Sequence, residues 1–363
     1  MAAFRRELVT EILLRLPVKS LLRFRCLSKP SRAEIDGVNF VQNHLKRSVE
    51  AKTHQKLIVN NMDYASHSKL YAADFDNGLK NSFLLNTPLK SLHRCTTFVR
   101  GSCNGLILFG MLISYQTTEL TIWNPFTRRY KKLPPCPVQT LPEYGCFTGF
   151  DLGNDSALDD YKVVMISEVW NSNDNDDDGE EDDGDDVYFQ TWVLSLKSNS
   201  WRRMGDVEDV VYSLMEIFAN GALYWENEKK FLGFDLANEK FFYLPKLVDC
   251  CGPKAIYHGT LEDFGGNLCN PVIHAERKTI EFYLHVSDKS GEVASGSWRK
   301  EFTVEEGEFD FFLPWPLAYS KNVESMLIKK NLGFFGMTLK TKQRIRVEIP
   351  GMPRATFCRY HVC

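Results

Sequence analysis

Long apolar runs are missing from this chain of 363 residues. The longest, Leu106 to Ile113, spans eight residues with a glycine inside it, far short of the ~20 needed to cross a bilayer as a helix. Met1 to Glu7 carries two arginines with no apolar stretch behind them, so no secretion signal is read there and no membrane insertion is expected. Paired cysteine spacing is lacking too. The ten cysteines are scattered, Cys250 and Cys251 are adjacent, and no Cys-x-x-Cys or His pair stands near them. That pattern argues against zinc and for reduced thiols buried as small hydrophobes. Aromatic groups interleaved with basic ones are not seen, so nucleic acid is not an expected partner.

Charge is nearly balanced overall, with 44 Lys and Arg against 47 Asp and Glu, but it is unevenly placed. Asp174 to Asp186 supplies ten acidic residues and no basic one, so without it the net charge of -3 would be -3 + 10 = +7. Residues 1–50 hold ten basic residues against five acidic ones, a positive element that favours an acidic partner. The composition, 44% apolar and 25% charged, is that of a folded chain with one large or two ordinary domains.

From Glu7 to Leu16 the apolar residues Leu8, Val9, Ile12, Leu13 and Leu16 recur at helical steps, with Glu7, Thr10, Glu11 and Arg15 on the other face. Pro17 cannot continue a helix but suits the first turn of the next, in which Leu21, Leu22, Phe24 and Leu27 are apolar. A third helix is expected from Asn39, whose side chain can cap the amides ahead of Phe40, Val41, His44 and Leu45. Helices this short are marginal alone and must dock on something.

Past residue 55 the pattern changes to short alternating runs separated by Gly, Asn, Asp and Pro, the signature of an all-β domain. One motif recurs: a strand end, a small polar turn and a basic or aromatic return. It appears in WNPFTRRY from Trp123, LSLKSNSW from Leu194, FDLANEKF from Phe234 and MTLKTKQR from Met337, with weaker versions around Ala73 and Leu284. The intervals run from 40 to 53 residues, except one of 71 that contains the acidic run. Six such units imply a propeller with six blades, since one blade cannot cover both of its faces.

Two stretches resemble known modules. The segment ELVTEILLRLPVKSLLRFRCLSK, Glu7 to Lys29, resembles the F-box, which binds the Skp adaptor of cullin ubiquitin ligases. The resemblance assigns adaptor contact to Leu8, Ile12, Leu13, Leu16, Pro17, Val18, Leu21, Leu22 and Phe24. Two departures weaken the expected affinity: Phe4 and Arg5 replace the usual leading Leu-Pro, and Ser31 replaces the usual tryptophan. GSCNGLILF, IWNPFTRRYKKLP, GFDLGNDSALDDYKVV, NGALYW, FDLANEKF and SGSWRKEF are similar to the F-box-associated domain of the plant F-box and kelch-like family. Together the resemblances imply an α+β multi-domain chain: a three-helix F-box over 1–48, a kelch-type propeller over 55–363, and an acidic disordered loop over 171–187. They imply a substrate receptor that meets cullin and RING subunits through the Skp adaptor, uses no cofactor, works in cytoplasm and nucleus, and selects a protein for ubiquitination. The LSKP variant is similar to members that control immune-receptor turnover, which makes an immune receptor one candidate substrate.

Other motifs read more plainly. Gly101, Cys103 and Gly105 outline a nucleophile elbow, but a strand-like LILFGMLI follows where a helix is required, and no His and acid pair is placed for a triad. A tight turn is the expected role. Asp174, Asp176, Asp178 and Gly179 open like a calcium loop, yet its eighth and twelfth positions are Glu181 and Asp185, and no metal site is expected. Trp123, Trp192, Trp201, Trp225, Trp298 and Trp315 stand mostly beside expected turns, where aromatics pack blade on blade. The rival readings are a propeller enzyme, a glycan-binding lectin, and an F-box protein working outside the ligase.

Overall fold

The computed structural model describes residues 6–51, 53, 56–61, 69–74, 79–80, 82–88, 95–113, 116–135, 148–170, 187–207, 217–227, 230–247, 257–258, 261–264, 266–274, 277–287, 295–305, 315–319, 325–330, 333–338, 341, 344–350 and 358–362. Helices come first: α1 (Arg6–Leu13), α2 (Val18–Phe24), α3 (Lys29–Ile35) and α4 (Val38–Ala51). The expected count of three is therefore corrected to four. The unforeseen α3 starts where Ser28 Oγ accepts from Ser31 N and Pro30 occupies the first turn, a capped start that LSKPSRAE contains. Asn39 does not cap: it lies inside the first turn of α4. Pro17 takes the N-cap of α2 in an extended conformation, one position ahead of the helix, and its carbonyl accepts from Ser20 N and Leu21 N.

All the described sheets are antiparallel. β1 (Lys56–Asn61), β2 (Lys69–Asp74) and β3 (Ser82–Leu84) belong to blade one. Blade two holds β4 (Cys95–Cys103), β5 (Leu106–Ile113), β6 (Gln116–Asn124) and β7 (Arg129–Lys132). Blade three holds β8 (Thr148–Asp155), β9 (Asp160–Trp170), β10 (Val187–Ser195) and β11 (Ser200–Val207). β12 (Ile217–Ala219), β13 (Ala222–Glu226), β14 (Lys230–Asp235) and β15 (Lys240–Pro245) form blade four. In blade five the innermost position is shared by β16 (Tyr257–His258) and β17 (Glu262–Phe264), ahead of β18 (Asn267–His274), β19 (Thr279–Ser287) and β20 (Gly296–Glu305). Blade six holds β21 (Trp315–Tyr319), β22 (Ser325–Lys330), β23 (Gly333–Thr338) and β24 (Arg344–Val347).

The ring closes through β25 (Cys358–Val362), which pairs with β1 and completes blade one from the far end of the chain. First strands touch first strands around the circle: β25 on β4, β4 on β8, β8 on β12, β12 on β17, β17 on β21, and β21 on β25. The fold is a six-bladed propeller, as the repeats implied.

The core lies between blades rather than within them. On β9 the run Val163-Val164-Met165-Ile166 is fully buried, and alternate residues go to opposite seams. Val163 and Met165 join Leu108, Ile122 and Phe150 of the seam between blades two and three, whereas Val164 and Ile166 join Leu223, Trp225 and Leu232 of the next seam. Two tryptophans fasten the outer edges of alternate seams: Trp201 Nε1 donates to Pro134 O at 3.2 Å, and Trp298 Nε1 to Pro245 O at 2.9 Å. Each bond ties an outermost strand to the Leu-Pro that ends the preceding blade.

The recurring motif is the hairpin between the third and fourth strands of each blade. In two of these turns a carboxamide or carboxylate accepts from the backbone two and three residues on: Asn124 Oδ1 from Phe126 N and Thr127 N, and Asp235 Oδ1 from Ala237 N and Asn238 N. The fourth residue after it, Arg128 or Glu239, turns into the left-handed region at φ 59° and 52° to bring the chain back. Removing residues 358–363 is expected to open the ring and leave no cooperative thermal transition, as circular dichroism would record.

Candidate adaptor surface and the two propeller faces

The helical unit has a core of five buried side chains: Leu13, Leu14, Leu21, Ile35 and Phe40, with Leu16 half-buried against them. Polar ties reinforce it. Thr10 Oγ1 donates to Glu34 Oε1 at 3.1 Å, Arg47 Nη1 to Glu11 Oε2 at 3.0 Å, and His44 Nε2 lies 2.9 Å from Leu16 O. Arg25 grips Asp36 with two parallel bonds of 2.6 and 2.7 Å. That grip, more than the neighbouring charges of Arg129 and Arg32, holds the Asp36 carboxyl below its usual range.

The sequence-expected contact residues divide in two. Leu8 at 54% exposure, Ile12 at 58% and Phe24 at 42% project from α1 and α2, Pro17 is exposed between them, and Leu16, Val18 and Leu22 are half-buried. Leu13 at 7% and Leu21 at 5% are sealed in the core of the helices. In this structure they form part of the packing that presents the others. Five exposed apolar residues were missed, namely Val9, Leu27, Val38, Val41 and Val49. The last three lie on α4 away from Phe40, and only the start of α4 at Val38 reveals their common face.

Strand order defines two propeller faces. Turns joining first to second and third to fourth strands open on one face; the other two kinds of connection open on the opposite face. The first face carries short turns such as 104–105, 156–159 and 236–239. The second carries the long intervals 133–147, 171–186 and 306–314. α4 ends at Ala51 and β1 begins at Lys56, so the helices enter from the short-turn face. The acidic run lies outside the described residues, and Trp170 and Val187, which flank it, are paired.

Cys103 closes β4 ahead of a turn in which Asn104 and Gly105 have φ of 52° and 77°, and its buried thiol packs with Leu108 and Phe150. The elbow outline is thus a hairpin turn. Cys250 and Cys251 lie outside the described residues. Among the described residues no group of three or more His, Cys, Asp or Glu is placed to hold a metal, and no helix is long and apolar enough to cross a membrane.

Four carboxyls of the described residues are displaced, and all four downward: Asp36, Asp155, Glu239 and Glu281. A general acid needs the opposite. Glu281 is the most displaced. Burial pushes its carboxyl up, but Lys300, Tyr283 and His274 together outweigh that and bring it to about 2. Tyr283 donates at 2.7 Å, His274 Nε2 lies 3.2 Å away, and Lys300 pairs with the other oxygen.

Four helices followed by a six-bladed propeller define the class: a helical F-box module ahead of a propeller. The F-box domain matches residues 6–43 and the F-box associated beta propeller domain matches residues 61–350. The chain belongs to the plant F-box proteins with an F-box-associated propeller. It is similar to the F-box protein CPR1 of Arabidopsis thaliana, at 29% identity over 96% of this chain and 85% of that one. It is also similar to the F-box/kelch-repeat protein At3g23880 of the same plant, at 26% identity over 85% and 81%. Among solved structures, an oligogalacturonate lyase in complex with manganese aligns over 82% of this chain and 74% of its own at 9% identity and a TM-score of 0.46, which says nothing about activity.

Two outcomes test these assignments. Leu21→Ala should destabilise the helical unit by about 3 kcal/mol, while Ile12→Ala should change its melting by less than about 0.5 kcal/mol, both measured by denaturant titration. Because the Glu281 carboxyl is lower in the folded chain than in the unfolded one, its contribution is fully present above ~4.3 and fades as the pH falls toward 2. Glu281→Gln should therefore cost about 2 kcal/mol at pH 7 and flatten the acid limb of a urea-stability profile.

Proposed function

We propose that this chain is the substrate-recognition subunit of a Skp–cullin–F-box ubiquitin ligase. The apolar surface around Leu8, Ile12, Pro17 and Phe24 seats in the Skp adaptor, and through it the chain joins the cullin and RING subunits. The propeller holds a protein substrate on the face of long intervals, pointing away from the helices. The chain is no enzyme: it holds a substrate lysine near ubiquitin carried by another subunit, and the gain comes from positioning. It works in the cytoplasm and nucleus, where such ligases and the proteasome meet their targets.

One observation carries this reading: large apolar side chains stand uncovered beside the proline corner of a helical unit that has already filled its own core. Exposed apolar groups gathered on one surface mark a protein contact. Loops on a rigid scaffold are where recognition concentrates, which supports the opposite face for substrate.

Replacing Leu8 and Ile12 together by alanine should weaken capture of the purified Skp adaptor at least ~30-fold, about 2 kcal/mol, with helicity and thermal unfolding unchanged. Undiminished capture by a folded double variant would refute the assignment.

A further inference from the structure

The helical unit meets the propeller at the turn between β8 and β9. Gln42 on α4 donates from Nε2 to Asp159 Oδ2 at 3.0 Å. On the neighbouring blade Arg129, the first residue of β7, acts by its charge on Asp36, behind the stronger hold of Arg25. Asp159 and Arg129 both lie on the short-turn face, the side from which the chain leaves α4 and enters β1. One hydrogen bond, a longer-range attraction and a link of four residues thus converge on one place.

That place is reinforced from beneath. Asp155 Oδ1 accepts from Ala157 N at 3.0 Å and Leu158 N at 3.2 Å, shaping the turn, while its Oδ2 accepts from Lys162 Nζ at 2.7 Å. Lys162 is almost fully buried and reaches into blade four, donating to Leu236 O at 2.6 Å and pairing with Glu239 at 2.9 Å. Glu239 in turn pairs with Arg202 on β11. Burying such charges costs about as much as their attraction returns, so this network is weak as a source of stability. Its geometric effect is definite: the turn presenting Asp159 is tied to two blades at once.

We propose that the turn 155–159 is a docking seat. Asp159 fixes the orientation of the helices through Gln42, and Asp155 and Lys162 are positioning residues that hold the seat rigid. The seat sets the direction in which the opposite propeller face points from whatever the helices bind. This goes beyond the ligase reading and does not depend on it, because the contacts are all within the chain.

The test uses the full chain with an exposed pair, so folding is not at stake. Asp159→Lys removes the carboxylate acceptor, Gln42→Glu sets two carboxylates face to face, and the double variant replaces the hydrogen bond by an ion pair. Hydrogen exchange across 155–159 and 38–51 and small-angle X-ray scattering are the readouts. Each single variant should raise exchange at the seat about threefold to tenfold and broaden the distance distribution, and the double variant should return both toward the parent. Singles indistinguishable from the parent, or a double no better than either single, would overturn the seat. Lys162→Met gives a second line: hydrogen exchange across 155–159 should rise and Gln42 lose its partner, and an unaltered turn would remove the positioning role.

Discussion

A four-stranded sheet with two apolar faces cannot shield itself, and everything else in this propeller follows from that constraint. The run Val163 to Ile166 is apolar at every position because its side chains alternate between two seams. Each blade therefore needs two neighbours, and a chain of blades has two bare ends unless it closes. Closure falls to β25, which lies next to β1 in space and about three hundred residues from it in sequence. The tryptophans at the outer edges then tie blade to blade where the apolar seam runs out, with Trp201 and Trp298 each reaching the carbonyl of a Leu-Pro strand end.

The helical unit obeys the same physics on a smaller scale. Among its described residues the core amounts to five buried side chains, and a core that small leaves little reserve of stability. Leu13 and Leu21 hold four short helices together, and the surface they support carries Leu8, Ile12 and Phe24 uncovered. A marginal unit with an apolar surface gains by binding, which is consistent with a module that finishes its packing in a partner.

Much of this architecture is legible in the order of residues alone. The proline corner declares itself because a ring that fixes φ and removes an amide has few places to go. The hairpins are visible as a period because a strand end, a small polar turn and a basic or aromatic return recur at similar intervals, and in two of them an Asx side chain and a left-handed residue stand at the same offset. The start of α3 is present in Ser28 and Pro30 but is hidden by the stronger apolar stripe that precedes it. The two leucines that turn inward cannot be told from their neighbours: Ile12 and Leu13 are adjacent, both apolar, and only the positions of Ile35 and Phe40 decide which of them is covered.

By itself the sequence determined the local rules: where helices bend, where hairpins turn, how often the β unit repeats, and which module stands at the start. Those features depend on residues within a few positions of one another. The tertiary structure alone decided that the last strand closes the first blade, that Leu13 and Leu21 pack inward, and that Gln42 meets Asp159 on the face away from the long intervals. Each of these joins residues far apart along the chain, and a distance in space leaves no periodic trace in an order of letters.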